Sequence, residues 1–185
     1  MAWIRIVEEA EADDALREVY GQLKDRRGKV SNILSVHSLH PEAMRAHMEL
    51  YMSILFGDAA LTREQREMIA VVVSSANRCQ YCVQHHAAAL NHYWRDEKRL
   101  TAFVSDFRAA VPSDPMRAVL AYADKLTTHP QEIEEEDVQR LRHAGLSDED
   151  ILLVNLIVSY FNFVNRIALG LGVSFSPDEL RGYKY

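Results

Sequence analysis

The chain has 185 residues, 48% hydrophobic and 26% charged, with 21 basic against 27 acidic side chains for a formal net charge of −6. That length suits one sizeable core, read here as a single domain over residues 1–185, and the composition is that of a soluble globular protein. The acid excess argues against nucleic acid, because phosphate binding needs concentrated Lys and Arg. The one basic cluster, KDRRGK from Lys24 to Lys29, is short, contains an acid and reads as a solvated helix end. No secretory signal opens the chain, since Met1 to Glu11 lacks a long apolar core, and a cytoplasmic address is expected.

In chain order, Leu16, Val19, Tyr20 and Leu23 share one face at helical spacing, which predicts an amphipathic helix from Asp13 to Lys24 closed by Gly28. Val30 to His40 reads as a connector. Pro41 suits the first turn of a second helix with Met44, His47, Met48, Tyr51, Ile54 and Leu55 as a broad apolar stripe, a candidate subunit interface. Thr62 with Gln65 three residues on is a capping-box pattern, so a third helix starts there. Met68 to Val73 is apolar on all sides; the valines suit a strand, but no partner strand has turn chemistry, so the run is read as a buried helix.

Asn77 and Arg78 predict a break, after which a fourth helix opens at the cysteines and runs to about Trp94. A shorter helix is expected over Glu97 to Ala109. Asp114 as N-cap and Pro115 at the first position predict another, stopped by His129 and Pro130. Glu132 to His143 reads as a short acidic helix closed by Gly145. Ile151 to Val173 is long enough to be weighed as a membrane span, but Asn155, Asn162, Asn165 and Arg166 would be expensive in hydrocarbon. It is read as a core helix or oligomer contact, with Asn165 and Arg166 expected to meet buried carboxylates at an interface. Ser176 to Tyr185 is read as a polar final turn. The sum is an all-α domain, an orthogonal bundle of seven to nine helices.

The chemistry concentrates in EMIAVVVSSANRCQYCVQHH, Glu67 to His86, which holds both cysteines of the chain. The spacing of Cys79 and Cys82 puts two thiols within one helical turn, and His86 shares a face with Cys82 one turn on. A thiol near a helix N-terminus feels the positive end of the helix dipole and becomes more acidic. Glu67 is too far from Cys79 for the same turn, but a fold-back at Asn77 and Arg78 would bring its carboxylate to the imidazole and orient it. Other readings stay open from the residues alone. The pair could form a structural disulfide, although so small a loop constrains the unfolded chain little. Cys79, Cys82, His85 and His86 could bind zinc, and Glu67 could simply pair with Arg63 or Arg66. His37, His40, His47, His92, His129 and His143 are scattered and read as packing or surface residues, with His37 and His40 able to edge a pocket if their connector folds over the cysteines. A thioredoxin reading needs a βαβ surround that the chain lacks.

Glu67, Cys79, Cys82 and His86, with ALTREQREMIAVVVSSANRCQYCVQHH around them, resemble the alkylhydroperoxidase D-like, carboxymuconolactone decarboxylase-like superfamily, and within it the peroxidase-related branch. The likeness extends to Asn32 to Pro41 and to AGLSDEDILLVNLIVSYFNFVNRIALGLGV, so it covers most of the chain. The resemblance implies an all-helical homo-oligomer (dimer, trimer or hexamer) that reduces peroxides with a cysteine pair and an external thiol or dithiol, with no haem, flavin or metal. It further implies that Cys82 attacks the peroxide, Cys79 resolves the sulfenic acid, and His86 and Glu67 relay protons. This chain departs from the best-known members at Tyr81, where they carry histidine, and tyrosine is a poor base at neutral pH. The relay is therefore expected to run directly from Glu67 to His86 or through water. The rivals are a decarboxylase or isomerase on the same scaffold and a redox-sensing or zinc-binding helical module.

Overall fold

Helices account for every regular element among the described residues, so the all-α class read from the sequence holds. The computed structural model of the chain describes residues 2–111, 114–175, 179 and 182. Ten α-helices lie among them: α1 (Asp14–Arg27), α2 (Asn32–Ser35), α3 (Pro41–Phe56), α4 (Arg63–Ala76), α5 (Gln80–Trp94), α6 (Glu97–Ser105), α7 (Phe107–Ala110), α8 (Asp114–Thr128), α9 (Glu135–His143) and α10 (Asp148–Gly170). The excess over the expected seven to nine comes from short pieces. The Val30 to His40 connector contains the one-turn α2, and the helix expected over Glu97 to Ala109 is two, because Asp106 leaves helical geometry and caps Arg108 N of α7. Asp114 lies inside α8 rather than capping it, and the residue before it, like most of the tail from Ser176, falls outside the described residues.

The chain divides into two compact units, residues 1–53 with 166–185 and residues 54–165. In the first, Asp13 caps α1 by accepting from Leu16 N at 2.9 Å, and Gly28 ends it at φ 86, a left-handed turn that suits glycine. The face presented by α1 is Leu16, Val19, Tyr20 and Leu23, and it packs on Leu34, Met44 and Met48. Each such side chain removed from water contributes about 1.5–3 kcal/mol. Met44 and Met48 are thus part of this unit's own core, and the α3 stripe is not the exposed interface expected from the sequence. His47, on the same stripe, donates from Nδ1 to His37 Nε2 at 3.3 Å, since His37 Nδ1 is committed to the Ile33 carbonyl at 3.0 Å.

The second unit is arranged around α4. Thr62 accepts from Gln65 N and Gln65 returns the bond to Thr62 N, the reciprocal cap read from the sequence. From Arg66 to Ser74 every residue of α4 is buried, and the helix packs on α5, α6 and α8. Arg66 is a structural arginine that binds the Leu61 and Ile54 carbonyls and so pins the turn into α4. Within α10, Val154, Ile157, Val158 and Phe161 are buried while Leu152, Leu156 and Phe163 are exposed. By length and composition α10 could cross a membrane, yet half of its most apolar window is buried by the protein itself.

Candidate active site

The site is built at the corner between α4 and α5. Asn77 caps the end of α4, and Arg78 takes a left-handed φ of 55, an uncommon conformation for a residue with a side chain. Three backbone bonds hold the corner: Asn77 N to Val73 O, Arg78 N to Ser75 O and Cys79 N to Ser74 O, all between 2.9 and 3.0 Å. The chain therefore reverses over a few residues, and α5 returns beside α4. The fold-back at Asn77 and Arg78 is as expected, and its result is that Glu67 and His86 meet.

Glu67 is completely buried, where an unpartnered carboxylate would be costly. Both oxygens are occupied. Oε2 lies 2.6 Å from His86 Nδ1, and Oε1 accepts from Arg63 Nε at 2.9 Å and also from Arg63 Nη2. The Arg63 guanidinium in turn lies 3.7 Å from the centre of the Phe56 ring. Burial alone would raise this carboxyl, but the charges of His86 and Arg63 and the hydrogen bonds from both outweigh it and hold Glu67 down at about 2. Glu67 is thus an anion shared by Arg63 and His86, so the ion-pair and imidazole readings are both realised, while Arg66 takes no part.

His86 is fixed by that carboxylate and by the edge of its ring contact with Phe161, centroids 4.5 Å apart. Because Nδ1 faces a carboxylate it carries the hydrogen, and in the neutral ring Nε2 is left as the basic nitrogen. Tyr81 is not interposed between Glu67 and His86; it is buried and its ring stacks on His85 at 4.5 Å. Glu67 and His86 are therefore in direct contact, with no side chain between them.

Cys79 sits at the N-cap of α5 and Cys82 in its first turn, one turn before His86. Both are free thiols, 1% and 2% exposed, with sulfurs 2.8 Å apart. The S–S bond of a disulfide is about 2.05 Å, so once an oxidant removes two electrons and two protons only a small movement is needed to join the pair. The hydrogen bond with Cys82 pulls the Cys79 thiol below its ordinary value, while the same bond, burial and the charge on Cys79 push Cys82 up. The pair thus gives up one proton easily and the second with difficulty. The proton given up first is that of Cys79, whose charge the Cys82 thiol then faces.

Polar residues of α10 complete the surroundings. Asn165 is fully buried, and its Nδ2 lies 3.2 Å from Ser74 Oγ while its Oδ1 accepts from Asn77 Nδ2 at 2.9 Å. The sequence reading had expected it to meet carboxylates at an interface; it meets an amide and a hydroxyl instead. Among the described residues, no three His, Cys, Asp or Glu side chains are grouped to hold a metal ion. His85, the fourth member of the zinc alternative, has its ring against Tyr81.

With this geometry in hand, the comparisons with known proteins can be stated. The carboxymuconolactone decarboxylase family pattern matches residues 41–125, from α3 through most of α8. The crystal structure of the alkylhydroperoxidase AhpD core of an uncharacterized peroxidase-related protein from Ralstonia eutropha JMP134 superposes with a TM-score of 0.86 at 28% identity, covering 97% of this chain and 94% of the other. An uncharacterized peroxidase-related protein from Silicibacter sp. TM1040 gives a TM-score of 0.86 at 29% identity, covering 97% and 96%. The uncharacterized protein YdfG of Bacillus subtilis strain 168 is 25% identical over 144 residues, 77% of this chain and 96% of its own. By family pattern over residues 41–125 and by fold over nearly its whole length, the chain is similar to the alkylhydroperoxidase D-like, carboxymuconolactone decarboxylase-like superfamily.

Proposed function

We propose that this protein is a thiol-dependent peroxidase that reduces hydrogen peroxide or small organic hydroperoxides through Cys82 and Cys79. The observation that carries the reading is the 2.6 Å contact between His86 and a buried, ionised Glu67 on helices that also bring two free thiols together. The peroxidase-related description of the relatives in Ralstonia and Silicibacter supports it.

In this reading the Cys82 proton passes to the neighbouring Cys79 sulfur, 2.8 Å away, and the Cys82 thiolate attacks the terminal oxygen of the peroxide. The S–O bond forms as the O–O bond breaks, and the departing alkoxide or hydroxide takes a proton from His86, giving Cys82 sulfenic acid and an alcohol or water. Glu67, ionised and backed by Arg63, steadies the imidazole in each protonation state. The Cys79 thiol then attacks the Cys82 sulfur, a disulfide forms and water leaves, which forestalls irreversible oxidation. An external thiol or dithiol reduces the disulfide by exchange and is itself oxidised. The same reading takes the protein to be a cytoplasmic homo-oligomer.

The test separates the two sulfurs. Cys82→Ser is expected to abolish peroxide consumption, a fall of about 10³-fold or more, whereas Cys79→Ser retains one stoichiometric turnover and accumulates a sulfenic acid that a dimedone-type probe traps. Equal loss of the first turnover in both variants contradicts the assigned roles.

A further inference from the structure

Arg63 stands one helical turn before Glu67 on α4, and the carboxylate gives one oxygen to each of its two neighbours. Oε1 accepts from Arg63 Nε at 2.9 Å and also from Nη2, while Oε2 faces His86 Nδ1 at 2.6 Å. The guanidinium is steadied from its other side by the Phe56 ring, whose centre is 3.7 Å away. Arginine stays charged at any working pH. One carboxylate thus lies between a permanent cation and an imidazole, largely out of water: Glu67 is completely buried, and the side chains of Arg63 and His86 are each 14% exposed. With a neutral imidazole the three groups sum to zero charge. When the ring takes a second hydrogen they carry a net positive charge, which burial penalises.

We propose that Arg63 is a positioning residue that keeps the His86 proton mobile, by balancing the Glu67 carboxylate that would otherwise hold the ring as imidazolium, with Phe56 as the platform that fixes the guanidinium. A carboxylate alone would do the opposite. An imidazole facing a buried anion keeps its second proton, and a donor that holds its proton too firmly passes it poorly to a departing oxygen. Arg63 offers a competing attraction on the other oxygen, so Glu67 still orients the ring but secures its charge less tightly. The other titratable or charged groups around the pair, among the described residues, sit on the same two helices. On α5 they are Cys79 and Cys82, with Tyr81 and His85 turned to each other. On α4 Arg66 feels the Arg63 charge but is tied to the Leu61 and Ile54 carbonyls. Phe161 of α10, which meets the imidazole, does not titrate, and neither does Phe56 at the end of α3.

The inference rests on the reading of His86 as the proton donor, and a titration of the ring reads it without any peroxide, so failure to turn over peroxide counts against the activity alone. The His86 ring protons are followed against pH by nuclear magnetic resonance in the reduced protein and its variants. Arg63→Met, which keeps an apolar stem over the Phe56 ring but removes the charge, is expected to move the His86 midpoint up by about one pH unit. Glu67→Gln is expected to move it down. The opposite directions separate charge balance from mere support: an Arg63 that only held Glu67 in place would, once removed, send the midpoint down as Glu67→Gln does. Arg63→Lys, which returns the charge, is expected to bring the midpoint at least halfway back, and one as high as that of Arg63→Met overturns the proposal. An Arg63→Met midpoint below that of the unmutated protein, or within roughly 0.3 unit of it, overturns it too. If Arg63→Met does not fold, the Arg63 Nε proton of the unmutated protein decides. It is expected to shift through the His86 titration, and a signal that stays still overturns the proposal equally.

Discussion

His86 in the second unit and His47 in the first are both held through Nδ1, but what stands behind that nitrogen differs. Behind His86 is the Glu67 carboxylate, itself paired with Arg63, so a proton arriving at Nε2 finds its counter-charge already in place. Behind His47 is a second imidazole, His37, whose other nitrogen is committed to a backbone carbonyl. Burial, and then the charge that His37 would carry, hold His47 down at about 3. Two imidazoles held through the same nitrogen thus stand in opposite surroundings: a carboxylate backs His86, whereas His47 is a packing residue that resists a proton.

The sharpest way to break the comparison is to remove the carboxylate. Glu67→Gln removes the anion that Arg63 and His86 share, and is expected to lower the peroxide-reduction rate by about 10²-fold or more. Because it breaks a buried charge pair held at both carboxylate oxygens, it should also lower stability by about 3 kcal/mol, read as a shift of the urea midpoint.

Acid tests the other histidine. With a folded value of about 3 against an unfolded value near ~6.5, His47 binds its proton first in the unfolded state, so stability is intact above pH ~6.5 and falls as the pH drops from there toward 3. The expected loss is about 2 kcal/mol by pH ~5. His47→Gln should remove that slope without touching peroxide reduction. Glu67 has the opposite arrangement, a carboxyl at about 2 whose stabilisation is present above its ordinary value of 4.5 and is lost as the pH falls from there to about 2. The His47 loss therefore begins about two pH units before that of Glu67, and circular dichroism above pH 4.5 reads it ahead of the carboxyl.

The smallest effect is expected at Tyr81. Since Glu67 reaches His86 directly, Tyr81→Phe should change the peroxide rate by less than about threefold. A larger fall would mean that the phenol takes part in the relay after all.

Much of this was legible before any coordinates. The capping box at Thr62, the break at Asn77 and Arg78 and the cysteine–histidine spacing are local signals, in which one residue's chemistry acts on its near neighbours in the chain. The fold-back that joins Glu67 to His86 follows from that break because both helices have apolar faces to bury. Asp106 was missed because the apolar spacing of Leu100, Phe103 and Phe107 continues through it, and only its backbone reveals the cap. The stripe on α3 was read correctly as a face and wrongly as exposed, since periodicity identifies which side is apolar but not what covers it. Asn165 was beyond sequence reasoning for a different reason. It stands 91 residues from its Ser74 partner, in an apolar helix with other asparagines, and an amide's role depends on which of its two ends each neighbour engages.

The central claim is that the Glu67–His86 pair and the two thiols act together on peroxide, and it is tested most directly by counting free thiols as peroxide is added to the reduced, unmutated protein. Two thiols should disappear for each peroxide consumed, with mass spectrometry finding Cys79 and Cys82 joined in one chain and an added dithiol restoring both. Thiols that survive a stoichiometric dose of peroxide, or oxidation confined to Cys79, would contradict it.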